Sequence, residues 1–302
     1  MSENLKNFDT LGFWRKWGTE RLSASSSSTP ALDSILLLAF ALGTTKDKIF
    51  AHEADIIPAE KLSLFKGFVE RRLTGEPVAY IIGQKAFWKH DFYVTPSVLI
   101  PKPDTEMLVE KAVDILRQKT AEKPLFIADV CTGSGCIAVS VYSELMRFLP
   151  ASESNFQFFA TDICDNALQV AKTNASSILG TEHQIKFLKG NLLEPLLQTG
   201  LQFDLIMSNP PYVPSELVKE LLKDGRREPE LALDGGNDGL QLIRQMIPQV
   251  WKALAKNGIL LIETGEYNAA ETRELLQQQG FANVSTYTDI GGQPRLTKAE
   301  KP

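Results

Sequence analysis

Residues 125–142 read LFIADVCTGSGCIAVSVY, and the fold follows from that stretch. LFIADV (125–130) is a short apolar run carrying one acid, Asp129, and it predicts a buried strand. Cys131-Thr132-Gly133-Ser134-Gly135 predicts a tight turn, whose glycines let the backbone come close to a ligand. From Cys136 to Tyr142 the apolar residues recur at helical spacing. Strand, glycine-rich turn and helix in that order form the nucleotide-binding opening of a doubly wound sheet. The spacing is not GxGxxG and no GxxxxGK[ST] occurs, which weakens the dinucleotide and P-loop readings.

Downstream, a second strand over 156–160 ends at Thr161-Asp162. A carboxylate at that position suits a ribose diol, because it accepts both hydroxyl hydrogens. Asp162 as a helix N-cap is the plainer alternative, with Asp165 and Asn166 close by. The run Phe203–Ser208 then leads into Asn209-Pro210-Pro211-Tyr212. These four residues suit methylation of a planar, conjugated nitrogen, whose delocalised lone pair attacks poorly. The Asn209 side-chain carbonyl and the Pro210 main-chain carbonyl can accept its two N–H groups and stabilise the charge that develops. Two prolines fix φ and remove two competing donors, and Tyr212 offers a flat face for packing. A Pro-Pro turn closing a strand is the structural alternative. Turn, acidic strand end and NPPY in this order point to an S-adenosylmethionine-dependent N-methyltransferase.

From about residue 105 strands and helices alternate, which predicts a mostly parallel seven-stranded sheet with helices on both faces, an α/β doubly wound fold. The strands are predicted at 125–130, 156–160, 185–188, 203–208 and 259–263, with a final pair near 284–287 and 294–297. Cys131–Gly135, Asp162, Asn191-Leu192 and Asn209 all fall at carboxyl ends of strands, where such sheets bind ligands. Residues 1–85 carry helical patterning, including a helix from Pro30 to Leu42 stopped by Gly43 and another from Ala59 to Leu73. The expected organisation is a helical bundle over 1–85 that binds a substrate protein, a linker over 86–104 with a hairpin at Phe87–Val94, and a methyltransferase domain over 105–302.

Composition narrows the partners. A net charge of −5 gives no global attraction to phosphate backbones, so no stable nucleic-acid binding is expected. Three cysteines without a CxxC pair suggest a reducing compartment, and three scattered histidines make no zinc pattern. No apolar run spans a bilayer and the polar start lacks a signal-peptide core, so a cytoplasmic protein is expected.

Along nearly its whole length the chain resembles the HemK-type (PrmC) protein-(glutamine-N5) methyltransferases acting on peptide chain release factors. The resemblance rests on GEPVAYIIG (75–83), DFYVTPSVLIPKPDTE (91–106), DVCTGSGCIAVS (129–140), ATDICDNAL (160–168), FDLIMSNPPYVP (203–214), EPELALDGGNDGL (228–240) and NGILLIETGE (257–266). NPPY is shared with adenine and cytosine N-methyltransferases, whereas GEPVAYIIG with IPKPDTE is diagnostic. The resemblance implies that Cys131, Thr132, Gly133, Ser134 and Gly135 cradle the methionine end of S-adenosyl-L-methionine. It implies further that Asp162 holds the ribose, Leu192 borders the adenine, and Asn209, Pro210, Pro211 and Tyr212 hold the substrate. That substrate would be the glutamine of the GGQ motif in class-1 peptide chain release factors. A ribosomal-protein glutamine or a nucleic-acid base is the alternative acceptor. Cys131 stands where the family carries glycine, Asn191 where it carries aspartate, Lys102 where it carries arginine, Asp104 where it carries glutamate, and Thr264 where it carries an aliphatic residue.

Several residues have modest readings. Asp104 and Glu106 are expected at an acid-rich helix start, and Glu263 as a cap on a neighbouring helix. Glu228–Glu230 and Asp234–Gly236 read as a loop and turn. Gly291-Gly292-Gln293 repeats the release-factor tripeptide, a three-residue match too short to make this chain a release factor.

Overall fold

Thr29-Pro30 opens a helix and Gly43 closes it in the left-handed conformation at φ 67°, as the sequence predicts. The computed structural model describes residues 9–119, 124–148 and 156–302, which divide into two units. The first contains residues 9–84 together with Glu220–Arg227. Its helices are α1 (Leu11–Leu22), α2 (Pro30–Leu42), α3 (Lys46–Ala51), α4 (Ala59–Leu73) and α5 (Val78–Ile82). Leu22, Leu37, Leu38, Ile49, Phe65 and Val69 fill its core with no exposed surface. Asp33, itself buried, takes hydrogen bonds from Arg72, Ser27 and Thr29, so its charge is fully partnered. Gly75 and Gly225 meet back to back. A Cβ on Gly75 would stand 2.1 Å from the Asp224 carbonyl, and one on Gly225 would stand 2.4 Å from that of Thr74. A segment distant in sequence therefore belongs to this unit because two glycines permit the approach.

The hairpin is β1 (Gln84–Phe87) and β2 (His90–Tyr93), starting earlier than predicted, with Trp88 at positive φ in the turn. Beyond it come α6 (Glu106–Gln118), β3 (Leu125–Val130), α7 (Cys136–Phe148), β4 (Phe156–Asp162), α8 (Asp165–Leu179) and β5 (Ile185–Lys189). Then follow α9 (Glu194–Leu197), β6 (Phe203–Ser208), α10 (Ser215–Leu222), α11 (Gln241–Ala253), β7 (Leu254–Glu263), α12 (Ala269–Gln279), β8 (Ala282–Thr288) and β9 (Pro294–Glu300). Seven strands form one sheet in the order β5-β4-β3-β6-β7-β9-β8, with all neighbours parallel except those of β9. This is the doubly wound, mostly parallel α/β sheet the sequence predicts.

Strand side chains alternate between two cores. Ile127, Leu205 and Met207 face a cluster with Leu108, Val109, Ile137 and Val141, from α6 and α7. Ala128, Val130 and Ile206 face the opposite cluster with Ile243, Met246 and Leu276, from α11 and α12. β7 begins at Leu254, five residues before the predicted Ile259. The early part is hidden in the sequence by Asn257 and Gly258, which accompany the register shift between Phe203 and Leu205.

Candidate active site

β3 and β6 lie side by side, and the chain winds away from them in opposite directions, to β4 and β5 on one side and β7 on the other. A crevice opens outside their carboxyl ends at such a switch point. Val130 is paired with Ser208, and the Ser208 hydroxyl donates to the Val130 carbonyl at 2.7 Å. The two strand ends are thereby pinned together, and Cys131 and Asn209 leave them as neighbours.

The turn after β3 is held from below. Thr132 Oγ1 donates to Asp129 Oδ2 at 2.6 Å, and the Ala138 N–H donates to the same oxygen at 3.2 Å. Burial pushes the Asp129 carboxyl up to about 7, against those two hydrogen bonds. Asn174 of α8 donates to the Ser134 carbonyl at 2.9 Å, and Gly135 sits where a Cβ would press to 3.1 Å on Ala171. Gly133 has open space where a Cβ would be, so the cradle is clear of side chains there. Cys131 takes φ 61°, a left-handed conformation that suits glycine. Desolvation raises its thiol, and pushes that of Cys136 up to about 12, so neither is a ready nucleophile. Asp162 ends β4 and is not the cap of α8, a position held by Cys164. Its two oxygens take one N–H each, from Gly133 and Cys164, both at 2.9 Å. Burial raises its carboxyl.

After β6 the chain runs irregularly through Asn209–Tyr212. Asn209 Nδ2 donates to Thr105 Oγ1 at 3.0 Å. Asn209 Oδ1 and the Pro210 carbonyl, the two acceptors read from the sequence, receive no hydrogen bond from the described residues. Asn268 Nδ2 donates to the Tyr212 carbonyl at 2.9 Å, and the Val213 N–H to the Leu233 carbonyl at 2.9 Å. Glu263 does not cap a helix. Buried at the end of β7, it accepts the Tyr212 hydroxyl at 3.3 Å through Oε1, and its Oε2 has no hydrogen-bond partner among the described residues. Tertiary packing places its carboxylate beneath NPPY, a role that its position at a strand end did not signal. Burial pushes Glu263 up to about 7, and burial with the adjacent Glu263 charge raises the Tyr212 phenol.

A cavity of about 230 Å³ joins these parts. Cys131, Thr132, Gly133, Ser134, Asp162, Leu192, Asn209 and Pro211 all line it. Gly135, Pro210 and Tyr212 do not. Gly135 packs on α8, and the Tyr212 hydroxyl turns toward Glu263. Sequence reading missed Thr105, Val98 and Leu99 of the segment before α6, and Ile163 beyond Asp162, all of them on the wall. The 91–106 motif was the available signal for the first three. Pro229 and Leu231 also line the cavity, and Lys102 Nζ donates to buried Glu228 at 2.7 Å at the start of that loop. Among the described residues no group of three or more His, Cys, Asp or Glu could hold a metal. No helix there is long and apolar enough to cross a membrane.

Residues 14–83 match the family model described as the PrmC N-terminal domain, and residues 100–263 the one described as N-6 DNA Methylase. Release factor glutamine methyltransferase of Koribacter versatilis is 34% identical over 94% of this chain and 95% of its own length. The proteins of that name from Bradyrhizobium diazoefficiens and Moorella thermoacetica are each 36% identical, over 93% and 91% of this chain and 91% and 93% of their own. This chain is a methyltransferase and belongs to the family of release factor glutamine methyltransferases.

Proposed function

We propose that this enzyme transfers a methyl group from S-adenosyl-L-methionine to the side-chain amide nitrogen, N5, of the GGQ glutamine in class-1 peptide chain release factors. The observation that carries the reading is a pair of acceptors, Asn209 Oδ1 and the Pro210 carbonyl, that take no hydrogen bond from the described residues and follow the strand paired with the one leading into the glycine-rich turn. A primary amide presents two N–H donors, and this pair matches them.

The cavity fits the donor. Its lining carries the Asp162 carboxylate and one cation, Lys102, which is neutralised by Glu228. Such a site suits a cationic ligand and not a pyrophosphate. Cys131–Gly135 would hold the methionine end, Asp162 the ribose and Leu192 the adenine. The donor supplies an electrophilic methyl group. Asn209 and Pro210 aim the amide nitrogen by accepting its hydrogens and stabilise the positive charge that grows on it, and alignment with fixed dipoles provides the acceleration. No base is needed before attack, since the nitrogen becomes acidic once alkylated and then loses its proton. Pro211 walls the slot and Tyr212 braces it through Glu263.

The helical unit would grip the release factor, an assignment supported by Leu32, Phe40, Phe50 and Leu64, large apolar side chains that it leaves exposed. The three free cysteines support work in the reducing cytoplasm. The N-6 DNA methylase match favours one rival acceptor, the exocyclic amine of a nucleic-acid base. Transfer of labelled methyl to a purified class-1 release factor, beside a variant with the GGQ glutamine replaced by alanine, decides between them. Label on the unmodified factor alone is expected. Label on DNA or RNA and none on the factor would overturn the reading.

A further inference from the structure

Gly291-Gly292-Gln293 repeats, inside the enzyme, the tripeptide that the reading above takes as substrate. These residues form the turn between β8 and β9, and all three are exposed, as is Ile290 beside them. No hydrogen bond from the described residues engages the Gln293 side-chain amide, so both of its N–H groups are open.

The backbone behind that amide is fixed. The Gly292 N–H donates to the Asp289 carbonyl at 2.9 Å, and the Gln293 N–H to Asp289 Oδ1 at 2.9 Å. The Asp289 N–H donates in return to the Gln293 carbonyl at 2.8 Å, and Arg295 Nε holds Asp289 Oδ2 at 2.9 Å. Gly292 has φ 81° and open space where a Cβ would be. The glutamine therefore stands on a narrow, braced support, and the two glycines before it carry no side chain to strike the rim of a slot.

An amide with two open N–H groups is what Asn209 Oδ1 and the Pro210 carbonyl match. We propose that Gln293 is a second methyl acceptor, modified by another copy of this chain. The proposal rests on the reading that this enzyme methylates the glutamine of a GGQ motif. The chain's own site lies out of reach. Glu263 pairs with Leu296 and Ile262 with Ser208, so β9 stands two strands from β6 and the Asn209 that follows it. Two strands are about 10 Å across the sheet, and Gln293 precedes Leu296 by three residues, about 10 Å along the strand direction. A glutamine side chain does not bridge that gap while the turn keeps its hydrogen bonds, whereas a second molecule has no such tether.

In the transfer, the Gln293 Nε2 lone pair forms a bond to the methyl carbon of S-adenosyl-L-methionine. The carbon–sulfur bond breaks with its electron pair going to sulfur, and the nitrogen then releases one proton to water. The secondary amide left behind keeps one N–H and no longer fills both acceptors, so each copy is modified once.

The test incubates the purified full chain alone with labelled donor and locates the label by mass spectrometry. One methyl group on Gln293 is expected, and none in Q293A, which should still methylate a class-1 release factor at the wild-type rate. A mass-tagged N209A chain should be labelled at Gln293 when wild-type enzyme is added, and far more slowly alone. The initial rate per chain should double when the enzyme concentration doubles. A labelled release factor with no label on Gln293 overturns the proposal and leaves the function intact. Label on Gln293 at a rate per chain that ignores enzyme concentration overturns transfer between copies. No label on either protein, with the donor bound, overturns both readings.

Discussion

At Cys131 the chain keeps a Cβ in a conformation that disfavours one. Its φ of 61° lies in the left-handed region, where a side chain costs about 1–2 kcal/mol. Replacing it by glycine and by alanine removes the thiol in both cases, so the pair differs mainly in the Cβ. C131G should therefore be more stable than C131A by about 1 kcal/mol in urea unfolding, offset partly by the extra freedom of glycine in the unfolded chain. Equal stabilities would mean that the strain is relieved locally. Asn209 carries a larger effect. N209A removes one fixed dipole, and if that dipole acts like an oxyanion-hole donor kcat should fall about 10²–10³-fold, or 2.7–4 kcal/mol. Single-turnover rates with saturating donor would measure the fall. The residue type was legible from NPPY. Its hydrogen-bond partner was not, since Thr105 lies 104 positions away in the chain.

Between residue and molecule, the segment after β6 depends on a support that runs through two glycines. Gly239 has φ 74°, and a Cβ there would stand 2.2 Å from the Tyr212 carbonyl and 2.9 Å from Asn268 Nδ2. Gly235 would bring one to 2.8 Å from the Tyr212 Cα. G239A should push Tyr212 off Asn268, costing about 1–3 kcal/mol of strain and lowering methyl transfer, with donor binding at β3 largely kept. Calorimetric donor titration beside the transfer assay checks this, and unaltered transfer would count against the support. The run of glycines in 228–240 signalled a turn, but a sequence does not say what approaches it. The strands were legible because alternation and apolar runs are local signals. Sheet register exposed the early start of β7, which pairs Leu254 with Phe203 across a shift no local pattern announces.

Across the whole molecule, Asp129 and Glu263 tie stability to pH. Both are buried carboxyls pushed up to about 7. A carboxyl raised in the folded state binds its proton more tightly there than in the unfolded chain. Its contribution is thus fullest below the ordinary carboxylate range, near pH 4, and is lost as pH rises toward about 7. Lowered carboxylates such as Glu76, held down by Arg71, work in the opposite sense, so the sign is read from a difference between proteins. D129N cannot ionise at that site. The melting-temperature gap between D129N and wild type should change in favour of D129N as pH rises from 4 to 7. A constant gap would mean that Asp129 titrates alike in both states.

The sequence by itself determined the strands, their alternation with helices, the glycine-rich turn and the position of NPPY, because each is written in residues adjacent in the chain. It also placed Cys131–Gly135, Asp162 and Asn209 at strand carboxyl ends, since parallel winding brings those ends to one side. Only the tertiary structure decided that Glu263 lies under Tyr212, that the Asn209 amide donates to Thr105, and that Glu220–Arg227 belongs with the helical unit. Those outcomes depend on hydrogen bonds and close approaches between residues far apart in sequence, where local periodicity carries no information about which donor meets which acceptor.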